Sequence, residues 1–391
     1  MEAIYLDHAA TTPVHPVVLD AMLPYLREVH GNPSSVHAAG RAARNAVDGA
    51  RDMLAAALGC APREIIFTGS GTEADNLAVR GSLERYGPER GRHIVVSAIE
   101  HDAVLETARR LEAAGASEVT IVGCDSLCRV DPDEVAAAVR PETVLVSVML
   151  VNNEVGTVQD VTRIAGLVRE RNPRTLLHTD AAQAVGRVPV HPASLGVDLM
   201  TIAAHKIYAP KGVGALWVRN GVFLSAQLTG GGQERERRSG TENVAFAVGL
   251  GVAARLAVER LAAEAPRQAG LCNRLIDRLT AAVPDTIVTG DAERRAPGFA
   301  TFAIPGARTD VLLVALDSRG VQASGGSACS SGAATPAQVL LAMGFSPDLA
   351  ASALRCTTGI STTEADVDRA AALIANAVEQ VRSAPAVGAL P

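Results

Sequence analysis

Two lysines, Lys206 and Lys211, are the only lysines in this chain of 391 residues, and every other strongly basic side chain is an arginine. An arginine guanidinium stays protonated and forms no Schiff base, whereas a desolvated lysine amine can lose its proton and condense with an aldehyde. Most lysines are plain surface charges, but arginine already serves that purpose here. Lys206 also follows an apolar run, residues 199–204, that predicts a buried strand. We therefore predict that Lys206 is the covalent anchor of pyridoxal 5'-phosphate.

A glycine-rich turn at residues 67–76 leads from a predicted strand into a predicted helix. Such a turn directs backbone N–H groups and a helix N-terminus at an anion. Ser70 and Thr72 add hydroxyl donors beside Gly71. An ordinary helix start capped by Thr72 would have the same pattern, so this turn alone leaves both interpretations open.

Further polar side chains come directly after predicted strands. They are His101, Asn152, Asn153, Asp180 and Gln183. An imidazole can stack on a flat ring or move a proton, amides suit a carboxylate or a ring oxygen, and an aspartate can pair with a protonated pyridine nitrogen. Each also has an ordinary interpretation as a polar strand end, a turn or a helix cap. Together they predict an active site at the ends of adjacent strands.

A flexible Gly/Ser segment at residues 323–332 carries a single thiol, Cys329, at its centre. Thiolate reactivity needs exposure, which this segment offers, and no large apolar residue flanks the cysteine. A buried structural cysteine is the alternative. Arg355 is a candidate for binding an amino-acid carboxylate through its planar fork, with an ordinary surface arginine as its alternative.

The formal net charge of −6 argues against nucleic acid as a ligand, because phosphate binding needs a basic surface. No apolar run is long enough to span a membrane, and the first residues lack the basic region of a signal peptide. Six cysteines are scattered along the chain, and the one close pair, Cys124 and Cys128, lacks the further ligands of a metal site. These features predict a cytoplasmic protein with free thiols and no metal.

Strands and helices alternate through the first half of the chain. The strands are rich in Val, Ile and Leu, which is typical of a parallel sheet buried on both faces. We predict seven, at residues 64–67, 94–99, 119–122, 143–150, 175–178, 199–204 and 214–218. Helices are predicted at residues 38–58, 72–86, 103–114, 132–140 and 161–171. This alternation predicts a doubly wound α/β sheet with its ligand at the carboxyl ends of the strands.

A long helical region at residues 241–281 is predicted to connect this sheet to a smaller α/β unit whose last helix covers residues 364–382. Residues 4–13 are predicted to be extended and to lead into a turn, because Pro13 and Pro16 disfavour a helix there. We predict a large domain at residues 14–256 and a small domain made of residues 1–13 and 257–391.

Ten short motifs, in order along nearly the whole chain, resemble those of one enzyme family. They lie at residues 5–13, 31–35, 72–76, 100–101, 152–154, 180–183, 205–206, 230–234, 240–243 and 326–329. On these motifs the chain resembles the group I cysteine desulfurases, the NifS/IscS-like members of the fold-type I pyridoxal-phosphate enzymes. The resemblance implies an aspartate aminotransferase-like fold, with a mostly parallel seven-stranded sheet in the large domain, and a homodimer.

The resemblance also implies roles for individual residues. Lys206 would anchor the cofactor, Asp180 would bind its pyridine nitrogen, Gln183 its ring hydroxyl, and His101 would stack on the ring and act in catalysis. The phosphate would be bound by Gly71, Thr72 and His205, together with Thr241 of the partner subunit. Asn153 would bind both the cofactor and the substrate. The substrate would also be bound by Asn32 and Arg355.

Cys329 would take the sulfur of L-cysteine as a persulfide and leave alanine. The persulfide would then pass to an acceptor protein, for iron–sulfur assembly, tRNA thiolation, DNA phosphorothioation or synthesis of a thio-metabolite. A selenocysteine lyase or an aminotransferase of the same fold is an alternative, although an aminotransferase has no use for Cys329. A sulfur-carrier or binding subunit with little turnover is a third possibility, although it would be expected to have lost Lys206 or Cys329.

Five positions differ from the family pattern. They are His8 in place of an asparagine, Ala203 in place of a phosphate-binding serine, Ser70 between the two glycines of the turn, Ala209 in place of a glycine, and Cys356 after Arg355. Because of these differences, a dedicated sulfur donor is an alternative to a housekeeping enzyme of iron–sulfur assembly.

Overall fold

Twelve strands are present in the structure, a computed structural model that describes residues 3–326 and 336–383. They are β1 (Ile4–Tyr5), β2 (Ile65–Thr68), β3 (His93–Ser97), β4 (Glu118–Val122), β5 (Thr143–Ser147), β6 (Leu176–Asp180), β7 (Leu199–Ala203), β8 (Gly214–Val218), β9 (Ile287–Val288), β10 (Phe299–Ala303), β11 (Val321–Gln322) and β12 (Ala353–Thr357). Strands β2 to β8 correspond to the seven that the sequence predicts: the bounds of β8 agree, and the ends of the others differ by at most three residues.

The central sheet has the strand order β2-β8-β7-β6-β5-β3-β4. Strands β3 to β7 pair in parallel, and β8 alone runs against its neighbours β2 and β7. Alternate residues point to opposite faces: Ile94 and Val96 of β3 pack in one apolar cluster and Val95 in the other. Because both faces are covered, the strands are apolar almost throughout, and the predicted mostly parallel seven-stranded α/β fold is confirmed.

Twelve α-helices surround the sheets within the described residues. They are α1 (Pro16–Arg27), α2 (Ala38–Leu58), α3 (Gly71–Arg90), α4 (Asp102–Ala113), α5 (Pro132–Ala138), α6 (Val161–Arg171), α7 (Pro192–Leu195), α8 (Val244–Ala282), α9 (Thr309–Asp317), α10 (Gln338–Ala342), α11 (Pro347–Ala350) and α12 (Glu364–Ser383). The predicted bounds of α2 and α6 agree with the structure. Within the described ranges, no helix is long and apolar enough to cross a membrane.

Helix α1 was not predicted from the sequence. Pro16 is its first residue, where a missing N–H costs nothing because the first N–H groups of a helix lack intrahelical acceptors anyway. His15 caps the helix by accepting a hydrogen bond from the N–H of Val17 at 3.2 Å. Pro16 therefore starts a helix and does not prevent one.

The long helix α8 joins two apolar cores. Its first part, including Leu250, packs in the core beneath the central sheet, whereas Leu271, Leu275 and Leu279 pack in a second core. That second core also contains β10, β12, α9, α12 and the N-terminal strand β1, which pairs in parallel with β11. The proposed boundaries at residues 13 and 256 stay a prediction.

A buried ion pair fixes the loop before α8 to the start of the sheet. Arg51 of α2 donates two hydrogen bonds to the carboxylate of Glu234, at 2.7 and 2.8 Å, and one to the carbonyl of Ile65. The same carboxylate accepts from the N–H of Phe67 at 3.0 Å. Both side chains are nearly fully buried, so each charge depends on its partner.

We predict that Arg51→Met lowers the free energy of unfolding by about 3–5 kcal/mol, because it leaves the Glu234 carboxylate buried without a counter-ion. The matched control is Arg255→Met, which breaks an exposed pair with Glu259 and should cost less than about 1 kcal/mol. Urea unfolding at one protein concentration gives both values. Equal losses in the two variants would contradict the role assigned to the buried pair.

Candidate active site

A cavity of about 990 Å³ opens at the carboxyl ends of the parallel strands. The predicted site residues that line it are Gly71, Thr72, His101, Asn153, Asp180, Gln183, His205, Lys206 and Arg355. Asp180 ends β6 and Arg355 lies in the middle of β12, and the others come from the segments that follow β2, β3, β5, β6 and β7. The sheet thus brings together residues that are separated by up to 284 positions in the sequence.

Lys206 ends a short 3-10 turn, Ala204–Lys206, directly after β7. Its Nζ donates hydrogen bonds to the carbonyls of Ala9 and Ala10, at 2.5 and 2.8 Å. Burial, helped by the positive charge of Arg355, lowers the pKa of Lys206 to about 8, against the attraction of Asp180. A substantial fraction of the amine is therefore neutral and nucleophilic near neutral pH.

Asp180, the last residue of β6, presents a buried carboxyl to the cavity. Its Oδ1 accepts from the N–H of Ala182 at 2.8 Å. Burial raises the pKa of Asp180, while His101 and Lys206 lower it. A cationic nitrogen placed against this carboxyl would complete the charge balance and keep the carboxylate ionised.

Asp75 and His178 form a second layer of polar groups behind Asp180, and the sequence analysis did not assign them a role. Nδ1 of His178 lies 2.9 Å from Ser147 Oγ and Nε2 lies 3.1 Å from Thr201 Oγ1. Burial lowers the pKa of His178 to about 3, so the ring is neutral. Burial and the nearby Asp180 raise the pKa of Asp75. The available signal was the position of Asp75 in the first turns of α3 and of His178 two residues before Asp180 on β6.

His101 caps helix α4, and this fixes its ring at the cavity. Its Nδ1 accepts from the N–H of Ala103 at 3.1 Å. An accepting Nδ1 places the proton of a neutral imidazole on Nε2. The ring is therefore fixed at the edge of the cavity, with Nε2 as the nitrogen that can donate.

The start of helix α3 forms an anion cradle on one wall of the cavity. Ser70, and not Thr72, is the N-cap: its Oγ accepts from the N–H of Glu73 at 3.1 Å. The N–H groups of Gly71 and Thr72 have no intrahelical acceptor, and this leaves them for an anion. A Cβ on Gly71 would lie only 3.1 Å from the Cβ of Ala203, so helix and strand approach closely here.

Arg355 is buried and faces the cavity, which excludes the surface interpretation. Its guanidinium donates to the carbonyl of Asn153 at 2.7 Å and to Asp7 Oδ1 at 3.0 Å. Its buried Nε has no hydrogen-bond partner in the structure. The side chain is therefore held in place with one donor still available.

Two predicted site residues, Asn32 and Thr241, are not brought to the cavity of this chain. Asn32 is exposed in a turn, where its Oδ1 accepts from the N–H of Ser34 at 2.8 Å. Thr241 is exposed on the loop before α8. Cys329 lies outside the described residues.

Two buried glutamates, Glu100 and Glu154, also line the cavity and had no assigned role. Glu100 accepts from Ser97 Oγ, Ser147 Oγ and the N–H of Met149. Burial raises the pKa of each carboxyl to about 7. Both follow strands next to residues that were singled out, and their acidic side chains there were the signal.

The donors and acceptors of the cavity fit pyridoxal 5'-phosphate. A lysine of lowered pKa suits the aldehyde, the Asp180 carboxyl suits the pyridine nitrogen, and the start of α3 suits the phosphate. Gln183 donates through Nε2 to the carbonyl of Ala9 at 2.9 Å, while its buried Oε1 has no partner in the structure. That oxygen is available to accept a bond from the ring hydroxyl.

Comparisons with known proteins point to one family. Residues 4–370 match the model of the aminotransferase class-V family. A protein named cysteine desulfurase IscS from Dictyoglomus turgidum is 40% identical over 380 residues, which are 97% of this chain and 95% of the relative.

Solved structures agree with this match. A NifS-like protein superposes with a TM-score of 0.91 at 35% identity, over 97% of this chain and 100% of its own. A structure described as SspA in complex with cysteine has a TM-score of 0.79 at 33% identity, over 90% of this chain and 98% of its own.

We predict that incubation with pyridoxal 5'-phosphate followed by borohydride modifies Lys206 alone. The initial labelling rate should rise as the pH increases through about 8, because the neutral fraction of the amine grows. Peptide mass mapping identifies the modified lysine. Lys206→Arg should abolish the label and Lys211→Arg should retain it, since the chain has no third lysine. A label mainly on Lys211 would refute the assignment.

Proposed function

The chain belongs to the aminotransferase class-V family and is a cysteine desulfurase, and we propose that it takes sulfur from L-cysteine with the help of pyridoxal 5'-phosphate and Cys329. The observation that carries this proposal is Lys206, a nucleophilic amine of lowered pKa that shares a cavity with the Asp180 carboxyl and the anion cradle of α3. A relative crystallised with cysteine supports the choice of substrate.

The cofactor would be held by residues on every side of the cavity. Lys206 would anchor it covalently, Asp180 would hold the proton on its pyridine nitrogen, Gln183 would accept from its ring hydroxyl, and His101 would stack on the ring. The N-terminus of α3 and His205 would bind the phosphate, together with Thr241 of the partner subunit. When bound, pyridoxal phosphate supplies an electron sink for negative charge on the α-carbon of the substrate.

The protein groups position the substrate and move its protons. Arg355, already held by Asp7 and by the carbonyl of Asn153, receives the carboxylate of L-cysteine, with Asn153 and Asn32 as further binding groups. Lys206 Nζ accepts a proton from the α-carbon, since its pKa of about 8 lets it take up and release protons near neutral pH. His101 serves as a second proton carrier at Nε2.

Cys329 takes over the sulfur atom. Its thiolate forms an S–S bond with the substrate sulfur while the bond between that sulfur and carbon breaks. The electron pair of the broken bond stays on carbon, which is protonated to give alanine, and Cys329 is left as a persulfide. An aminotransferase would need no such thiol.

The persulfide sulfur passes to an acceptor protein, either an iron–sulfur scaffold or a thiolation enzyme. Transfer to an acceptor cysteine requires that this cysteine be a free thiol, and on that ground we place the enzyme in the cytoplasm. The five cysteines within the described residues are all free thiols, which agrees with that compartment.

A homodimer would complete the cavity. Ala203 offers no hydroxyl to the phosphate, and Thr241 lies on an exposed loop away from the cavity of its own chain. Large apolar side chains are exposed close in sequence to the two predicted site residues that lie outside the cavity. Val36 follows Asn32, and Phe223 and Leu228 precede Thr241. A partner subunit seated there would cover these side chains and supply Thr241.

The proposed activity is tested with L-cysteine and a thiol reductant. We expect alanine and sulfide in equal amounts from the wild-type enzyme and neither from Cys329→Ser, which should still bind the cofactor. The matched control is Cys60→Ser, because burial raises the pKa of Cys60 to about 12 and keeps that thiol inert. Full turnover by Cys329→Ser would refute the role of Cys329.

The shared site is tested with mixed dimers. Lys206→Ala and Thr241→Asp should each be inactive alone, the second because a carboxylate repels the phosphate. The two variants are then co-expressed with different tags and purified as heterodimers. One of the two sites in each heterodimer should be active, because it combines the intact Lys206 of the Thr241→Asp chain with the intact Thr241 of the Lys206→Ala chain. Inactive heterodimers, or a monomer in light scattering, would contradict this arrangement.

A further inference from the structure

A chain of buried polar groups links two carboxyls that line the cavity, Glu100 and Asp75. Ser147 Oγ lies 3.2 Å from Glu100 Oε2 and 2.9 Å from Nδ1 of His178. On the other side of the ring, Nε2 lies 3.1 Å from Thr201 Oγ1 and 3.6 Å from Asp75 Oδ1. Because all five side chains are buried, the position of each proton on this chain constrains the next.

The Glu100 end of the chain is rich in hydrogen-bond donors. Oε1 accepts from Ser97 Oγ at 2.5 Å and from the N–H of Met149 at 2.6 Å, and Oε2 accepts from Ser147. Donors to a carboxylate favour its ionised form. Burial raises the pKa of Glu100 to about 7 against these bonds, so the carboxyl is ionised above that pH.

An ionised Glu100 determines which nitrogen of His178 carries the proton. The single hydrogen of the Ser147 hydroxyl points to Glu100, so Ser147 Oγ can only accept from the ring, and Nδ1 donates to it. The ring is neutral, because burial lowers its pKa to about 3. Nε2 is therefore left with a lone pair, which accepts from Thr201 Oγ1.

This tautomer leaves Asp75 without a donor from His178. Among the residues that the structure describes, the buried Asp75 Oδ1 has no hydrogen-bond partner. An ionised Asp75 would face the lone pair of Nε2 and also the charge of Asp180, which together with burial raises the pKa of Asp75. A proton on Asp75 removes both repulsions. The contact between Asp75 and His178 is therefore not an ion pair.

We propose that Glu100, acting through Ser147 and His178, keeps Asp75 protonated, so that of the two neighbouring aspartates Asp180 alone offers a negative charge to the cationic nitrogen of the cofactor. His178 is a positioning residue in this assignment, because it is fully buried and acts only through its neighbours. The proposal rests on the proposed function, which assigns Asp180 to the pyridine nitrogen.

The test is the tautomer of His178 in the holoenzyme, read by NMR of the ring nitrogens after isotope labelling of histidine. The spectrum is recorded at pH 8, above the pKa of about 7 of Glu100. A ring nitrogen with a proton resonates far from one without, and the signals of His178 are assigned through their loss in His178→Asn. We expect the proton on Nδ1. A proton on Nε2 in the wild-type enzyme would overturn the proposal.

Glu100→Gln should move the proton of His178 to Nε2. The two donors at Oε1, Ser97 Oγ and the N–H of Met149, select the oxygen of the new amide for that position. The amide nitrogen then faces Ser147 and donates to it, and the Ser147 hydroxyl in turn donates to Nδ1. A proton that stays on Nδ1 in Glu100→Gln would contradict the control by Glu100.

Glu154→Gln is the matched control, because Glu154 is also buried and lines the same cavity, whereas Ser147 bonds to Glu100. It should leave the proton on Nδ1, and a shift to Nε2 here would refute a specific effect of Glu100. His93 is the control histidine within each spectrum, since both of its ring nitrogens bond to threonine hydroxyls. Its signals should be the same in all variants.

Ser147→Ala keeps the test decisive if Glu100→Gln does not fold. This variant removes the acceptor of the Nδ1 proton, so the proton should move to Nε2, where Thr201 Oγ1 can accept it. An unchanged tautomer in Ser147→Ala would overturn the proposal.

The charge on Asp75 is tested by titrating the cofactor-free enzyme with pyridoxal 5'-phosphate and following the absorbance. Asp75→Asn mimics a protonated carboxyl and should change the Kd less than about twofold, whereas Asp180→Asn should raise it more than about tenfold, the worth of a hydrogen bond between charged groups. A tenfold loss in folded Asp75→Asn would overturn the proposal. If Asp180→Asn binds the cofactor normally, the role of Asp180 in the proposed function fails, whatever the tautomer of His178.

Discussion

The desolvation of the Lys206 amine is the constraint on which the rest of the site depends. A lysine in water is protonated at neutral pH and is a poor nucleophile. Here burial lowers its pKa to about 8, while the carbonyls of Ala9 and Ala10 still accept its hydrogen bonds. The amine is therefore held by backbone carbonyls, and the attraction of Asp180 only partly opposes the effect of burial. This balance requires the N-terminal segment to cover the end of β7.

The N-terminal segment reaches this position because it is anchored in both cores. Leu6 packs in the second core, whereas Ala9 packs in the core beneath the sheet. Between them, Asp7 pairs with Arg355 at 3.0 Å and the N–H of Ala9 donates to Thr357 Oγ1 at 2.9 Å. The contacts that position the substrate-binding arginine therefore also position the acceptors of the lysine.

Two differences from the family pattern are explained by packing in this segment and its partner strand. His8 is buried, with Nδ1 3.0 Å from the carbonyl of Thr357, and burial lowers its pKa to about 4, so it is a neutral ring in a structural contact. Cys356 is fully buried, and burial raises its pKa well above the usual range. Neither residue changes the charge of the cavity. Ala203 packs against Gly71, where it leaves no hydroxyl for the phosphate.

The cavity contains more acidic side chains than basic ones, and this affects its chemistry. Burial raises the pKa of Asp75, Glu100, Glu154 and Asp180. These carboxyls cannot all be ionised in a space with few cations, so some hold protons near neutral pH. A cationic cofactor ring would stabilise the ionised form of Asp180 first, because that carboxyl faces the ring position. The protonated carboxyls can serve as hydrogen-bond donors.

The sequence by itself determined the fold class, the seven strands of the central sheet and nine of the residues that line the cavity. It could do so because a buried parallel sheet demands continuous apolar strands and its ligands bind where those strands end. The lysine count singled out Lys206 without any structure. The order of the motifs along the chain then identified the family.

Only the tertiary structure decided which groups share an environment. Helix α1 was missed because a proline is compatible with a first turn, which a local pattern does not distinguish from a break. The roles of Glu100, Glu154, Asp75 and His178 depend on burial and on neighbours more than twenty residues away in the chain. The sequence lists side chains in order, whereas a pKa and a hydrogen bond depend on distances and solvent exclusion, which exist only once the chain is folded.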